Sequence, residues 1–249
     1  MLLAIDIGNS STKFGVFDDK NFVKQFSVPT IRTNSADEIY DLIKSEINGR
    51  ISFVEVSSVV SELENSYREL AEEKLNAKID FVDNTFDSGL KINYFPPQNL
   101  GVDRLIAAFA ATAKYGKPII VCDFGTAATI DAVNSKGEFL GGIIAPGISI
   151  LADTLFQKTS KLPKAEIKKP ESIFGNSTIT SIQSGIFYGY IGLVDGILRK
   201  MLDELGELPK ICATGGFASL IAEESQLIEI VDDKLMLDGL HFIYKKMKP

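Results

Sequence analysis

The first half of the chain changes the period of its apolar positions several times. "LLAI", "FGVF" and "FVKQFSV" are short runs rich in β-formers and bounded by turn residues. They predict three consecutive strands: one at residues 2–5, one at 14–17, and a third after a hairpin turn at "FDDKN". "SADEIYDLIKSEI" then sets Ile39, Leu42, Ile43 and Ile47 on one helical stripe, with Ser35 or Asn34 as the cap. "FVEVSSVV" reads as a buried strand with a polar exit, "YRELAEEKLN" as a short amphipathic helix and "KIDFVD" as another strand. The expected order is three strands, helix, strand, helix, strand.

A second series follows. "NLGVDRLIAAFAATAKYG" predicts an Ala-rich helix stopped by Gly116 and Pro118. "PIIVCDFGTAATIDAVNSKGEFLGGIIAPG" predicts three more strands joined by tight turns. Helices are expected at residues 148–157 and through "ITSIQSGIFYGYIGLVDGILRKMLDEL", and "PKICATGGFAS" reads as a buried strand running into a helix. Between the two helices, "KTSKLPKAEIKKPESIFGNST" is a loop with a solvated, Lys-rich surface.

The two series echo each other. "LLAIDIGNSSTKFGVF" and "IIVCDFGTAATIDAV" share one scheme: apolar strand, Asp, apolar residue, Gly, a cluster of hydroxyl or amide side chains, apolar strand. One Asp-x-Gly is a common turn; two of them, each opening a half of similar length, point to an internal duplication. A duplicated β-β-β-α-β-α core with such hairpins is the plan of the actin, Hsp70 and sugar-kinase group. The expectation is therefore an α/β protein of two actin-like (ribonuclease H-like) domains, 1–114 and 115–249. A nucleotide would lie in the interdomain cleft.

Composition narrows the function. The 249 residues carry a formal net charge of −7, which argues against non-specific binding to nucleic acid or to an anionic membrane. The single histidine, His241, makes a Ser-His-Asp triad or a His-rich metal site an unsuitable reading, and the two cysteines, Cys122 and Cys212, sit in apolar runs as reduced thiols do. No apolar run reaches membrane-spanning length, and the first residues lack the pattern of a secretory leader. A cytoplasmic protein is expected.

The motifs suggest phosphate chemistry. Gly8 lets backbone N–H groups approach an anion, Asn9, Ser10, Ser11 and Thr12 add side-chain donors, and Lys13 adds positive charge. Asp6 would repel bare phosphate; it either caps its own turn or serves a phosphate-bound Mg²⁺. Asp123 either binds a cation or satisfies turn N–H groups, and Thr126 either meets a phosphate oxygen or is a plain strand residue. In "NLGVDR", Asp103 is either a cap of the first helical turn or a general base on a substrate hydroxyl, with Arg104 as an anion contact. The glycine pairs Gly141-Gly142 and Gly215-Gly216 are close-packing positions or, for the second pair, a turn suited to an adenosine.

Taken in order and spacing, "DIGNSSTKFG", "SSVV", "NLGVDR", "DFGTAATID", "GGIIAPG", "GNSTITSIQSG" and "ATGGFAS" resemble the type III pantothenate kinases. The resemblance implies an ATP-dependent kinase that phosphorylates pantothenate in the first step towards coenzyme A. It implies that the hairpin Asp6, Ile7, Gly8, Asn9, Ser10, Ser11, Thr12 and Lys13 binds the ATP phosphates and Mg²⁺, together with Thr126. Asp123 is implied as the ligand of a monovalent cation, K⁺ or NH₄⁺, and Asp103 as the catalytic proton acceptor. Tyr94, Gly101, Val102, Arg104 and Thr178 are implied around the pantothenate, and a homodimer is implied too. The sequence departs from the family pattern at Ser10 and Ala128, where Thr is usual, and at Asn176 and Ser177 before Thr178. Two other readings stay open: a kinase of the same fold for another small alcohol or sugar, and a non-catalytic regulatory relative.

Overall fold

Burial is nearly continuous along the first strand and alternates along the third, as suits a central and an edge strand of one sheet. In the computed structural model, which describes residues 1–18 and 21–247, β1 (Leu2–Ile7), β2 (Ser11–Asp18) and β3 (Asn21–Pro29) form an antiparallel meander. The turn expected at "FDDKN" includes Asp19 and Lys20, which lie outside the described residues. After α1 (Ala36–Ile43), β4 (Phe53–Ser58) runs parallel to β1. Then α2 (Glu64–Glu69), continued by a π turn at Leu70–Lys74, leads to β5 (Lys78–Phe81), parallel to β4. The sheet order is β3-β2-β1-β4-β5. Ser35 caps α1 in a capping box with Glu38, as its position before the apolar stripe predicts.

The second series begins with β6 (Lys91–Ile92) and α3 (Val102–Tyr115). It continues through β7 (Ile119–Phe124), β8 (Ala127–Val133), β9 (Glu138–Pro146), α4 (Ile148–Lys158) and α5 (Thr178–Leu205). Last come β10 (Lys210–Thr214), α6 (Ala218–Ala222), β11 (Ile230–Val231) and α7 (Leu235–Met247). The sheet order here is β11-β10-β7-β8-β9-β6. Without β6, it repeats the first sheet strand for strand: an antiparallel meander whose first strand also pairs in parallel with the strand after the helical crossover. β1 corresponds to β7, so Asp6 and Asp123 hold equivalent places.

The chain forms two compact units. One comprises Met1–Gly89, Phe95–Ala110 and the segment from Lys234; the other comprises Leu90–Tyr94 and Ala111–Asp233. The first unit has two layers on its sheet. Leu3, Ile5, Ile7, Phe14, Val16, Val54 and Val56 face α1 and α2 in one buried core. The opposite face meets α7: Gly15 lies against Leu237, Phe17 against His241, and Phe53 against Tyr244. Gly239 brings α7 so near to α3 that an added Cβ would press on Ile106 and Ala110. The second unit has its own core, in which Ile120, Cys122, Ile130, Phe187, Val194, Leu198 and Ile211 are buried together.

Candidate functional site

The hairpin between β1 and β2 is the first element to place. Asp6 lies inside β1 rather than beyond it, half-buried, and in register with Lys13 on β2 and Ser57 on β4. Alternation puts these three side chains on one face of the sheet, with the fully buried Glu55 two residues before Ser57. The turn itself is short: the Gly8 N–H donates to the Ser11 carbonyl at 3.2 Å, and Asn9, Ser10 and Ser11 are exposed. Ile7 and Thr12 are fully buried, so Ile7 can offer a ligand only its backbone, and the Thr12 hydroxyl is turned into the unit. There it lies 2.9 Å from the Thr30 hydroxyl, which donates to the Gly8 carbonyl at 2.8 Å. Outside the turn, Arg32 donates to the Asn9 side-chain oxygen at 2.9 Å and to Glu62 at 2.7 Å.

The same unit holds residues 101–104. Asp103 sits in the first turn of α3, where an acidic side chain is favoured by the helix dipole, and its Oδ1 accepts the Arg104 N–H at 2.9 Å. Gly101 makes this possible, because a Cβ there would overlap the Asp103 carboxylate. Val102 and Asp103 are half-buried, whereas Arg104 is only 6% exposed, so it is not the surface residue that a helix start would ordinarily carry. A guanidinium that deep requires compensation, and it has an interaction partner in the structure.

Tyr94, Asp123, Thr126 and Thr178 belong to the other unit. Asp123 is the last residue but one of β7, opposite Thr129 on β8 and beside Thr214 on β10. The glycine pair of "ATGGF" is explained here. Gly215 has φ +95°, and a Cβ on it would come within 2.5 Å of the Asp123 carboxylate and 2.7 Å of the Phe124 nitrogen. Gly216, by contrast, has open space around it. Thr126 lies in the turn before β8; its carbonyl accepts the Gly147 N–H at 3.0 Å, and a Cβ on Gly147 would overlap the carbonyls of Gly125 and Thr126. For Gly141-Gly142 the packing reading holds: Gly141 has φ +90° beside a bulge in the β8–β9 pairing, and a Cβ on Gly142 would press on the Ile130 carbonyl and Asp131. A Cβ on Gly141 would stand 3.6 Å from the Tyr94 ring, which fixes where Tyr94 lies along β9. Thr178 opens α5 and is exposed; the unusual Ser177 is the helix cap, accepting the Thr180 N–H at 3.2 Å.

The donor sets suit the groups a kinase handles. Asp6, Ser10 and Ser11 offer hard oxygen, and Asp123 sits beside a turn whose carbonyls are Gly125 and Thr126, the donor type that hard cations take. Among the described residues, no three His, Cys, Asp or Glu side chains converge on one point. A divalent ion here fits the mode in which phosphates supply most ligands and one carboxylate the rest. Neither thiol is a candidate nucleophile: burial pushes the Cys122 thiol well above its ordinary value and Cys212 up to about 12.

Two repeated sheets, each with an Asp-x-Gly hairpin after its first strand, define the actin and sugar-kinase class of fold. A solved structure from Sinorhizobium meliloti, assigned as a 2-dehydro-3-deoxygalactonokinase, superposes with a TM-score of 0.63 at 14% identity, covering 100% of both chains. The activator of 2-hydroxyisocaproyl-CoA dehydratase from Clostridium difficile, solved with bound ADPNP, gives 0.54 at 12% identity over 99% of this chain and 97% of that one. Residues 2–200 match the sequence model of the family described as type III pantothenate kinase. A type III pantothenate kinase of Geotalea daltonii is 43% identical over 253 residues, 99% of this chain and 98% of its own. The chain belongs to the type III pantothenate kinase family.

Proposed function

We infer that the protein transfers the γ-phosphoryl group of ATP to the primary hydroxyl of pantothenate, giving 4'-phosphopantothenate and ADP in the first step of coenzyme A biosynthesis. Family membership over nearly the full chain is the observation that carries the substrate. The ADPNP bound to the Clostridium difficile activator, a protein of the same fold, supports a nucleotide as the phosphoryl donor.

The roles follow from the chemistry of each group. Asp103 accepts the hydroxyl proton as the oxygen attacks the γ-phosphorus and the bond to the ADP oxygen breaks. The N–H groups of the hairpin, the Ser10 and Ser11 hydroxyls and Lys13 bind the phosphates, and Thr126 adds a further contact. Mg²⁺ held with the help of Asp6, when bound, spreads the charge of the transferring phosphoryl group. Asp123 holds the monovalent cation. Gly101, Val102 and Arg104 bind the pantothenate, Arg104 as a contact for its carboxylate, and Tyr94 and Thr178 are further substrate-binding residues. The protein works as a cytoplasmic homodimer. Exposed Leu140 and Ile144 on β9, Ile150 and Phe156 on α4, and Ile179 on α5 support self-association, and no helix among the described residues is long and apolar enough to cross a membrane.

The test is to offer ATP with pantothenate and with a panel of sugars and simple alcohols, and to identify products by mass. Pantothenate gaining one phosphoryl group is expected. Phosphorylation of a sugar with pantothenate untouched would replace this reading by the sugar-kinase one.

A further inference from the structure

We propose that Thr30 and Arg32 are positioning residues for ATP: between them they fix the turn at Gly8, Asn9 and Ser10 so that the Asn9 N–H faces the phosphates. The inference rests on the kinase reading above and adds two residues that stand outside its motifs.

Thr30 follows β3 and holds the turn from inside. Its hydroxyl donates to the Gly8 carbonyl at 2.8 Å, and its own N–H donates to the Ser10 carbonyl at 3.1 Å. Both carbonyls are thereby drawn towards Thr30. In a trans peptide the N–H of the next residue points the opposite way, so fixing the Gly8 carbonyl aims the Asn9 N–H away from Thr30. A phosphate-binding turn needs that arrangement, since a carbonyl facing the ligand would repel it. The Thr30 hydroxyl is itself anchored, 2.9 Å from that of Thr12, which is fully buried and shares a hydrogen bond with the buried Tyr67 phenol. A line of three hydroxyl groups therefore ties the turn to the core.

Arg32 holds the turn from outside. One arm of its guanidinium donates to the Asn9 side chain at 2.9 Å and the other to Glu62 at 2.7 Å, on the segment after β4. Arg32 and Glu62 are both more than half exposed, so their ion pair adds little to stability. Its consequence is geometric: a planar fork fixes the direction of Asn9, which a lysine could not do with a single point charge.

The experiment varies ATP at saturating pantothenate in the full-length protein and, separately, titrates Mg-ADP. Thr30→Val keeps the shape and removes the donor; the KM for ATP should rise about five- to tenfold, the worth of one part-buried hydrogen bond. Thr30→Ser should restore it. Arg32→Gln should raise it about two- to fivefold, with Arg32→Lys no better. In each variant, kcat and the KM for pantothenate should stay within about twofold, and Mg-ADP affinity should fall with the same ranking. Unchanged KM for ATP and unchanged Mg-ADP affinity in Thr30→Val and Arg32→Gln would overturn the proposal. So would a loss shared equally by both substrates, tracking a lowered melting temperature that Thr30→Ser fails to repair. If the wild type phosphorylates something other than pantothenate, the substrate reading fails while the Mg-ADP titrations still decide this one; a wild type that binds no Mg-ADP overturns both.

Discussion

Asp103 shows how much one residue's setting decides. Its side chain lies in the first turn of a helix, where the dipole favours an acidic residue, and the glycine at 101 leaves room for it to fold back onto the Arg104 N–H. Asn in its place could still accept that N–H, so Asp103→Asn should fold normally and lose only the proposed proton acceptor. Its kcat should fall by about two orders of magnitude or more, with the KM for ATP little changed. Full activity would remove Asp103 from the base role. Asp6, Asp103 and Asp123 were legible in the sequence as candidates because a carboxylate beside glycine at a strand exit or helix start is itself a signal. Thr30 and Arg32 were not, since nothing local marks them; they reach the turn through the β2–β3 register, a long-range pairing. Thr12 misleads in the opposite sense. It reads as one more phosphate donor in a run of hydroxyls, but the alternation of β2 turns it into the core.

At the scale of elements, the two glycines of "ATGGF" separate conformation from space. Gly215 combines a left-handed φ with contact on Asp123 and the Phe124 backbone, so Gly215→Ala should cost about 1–3 kcal/mol and disturb the place of Asp123. Gly216→Ala meets nothing within 4 Å and should be close to neutral. Urea denaturation of the two variants, side by side, checks the contrast; equal effects would contradict it. The strand order of both meanders and the long helix α5 were readable from period and punctuation. Several elements were not, β11 among them. β6 is only Lys91–Ile92 and owes its existence to pairing with β9. α7 has Asp238 and Gly239 in the middle of its apolar stripe, and Gly239 makes sense only once α3 is packed against it.

For the whole molecule, the repeated sheets account for the fold, and the buried thiols and phenols account for its response to alkali. Burial raises Cys122, Cys212 and Tyr190, the last two to about 12, and Tyr115 rises through burial and its hydrogen bond to Asp232. The unfolded chain loses these protons first, from about pH 8.5 for thiols and about pH 10 for phenols. Stability is therefore full below those values and falls as the pH rises through them towards 12. Denaturation midpoints at pH 8 and pH 10.5 should differ in that direction, and both thiols should resist a thiol reagent until denaturant is added. What sequence pattern could not supply was the assignment of α7 to the first unit, because only three-dimensional packing returns the end of the chain to its beginning. The central claim, that this fold carries out ATP-dependent phosphorylation of pantothenate, is tested most directly by coupling ADP release to pantothenate addition, with and without K⁺. The account predicts ADP release that needs both pantothenate and the cation; ADP release indifferent to pantothenate, or none under either condition, would contradict it.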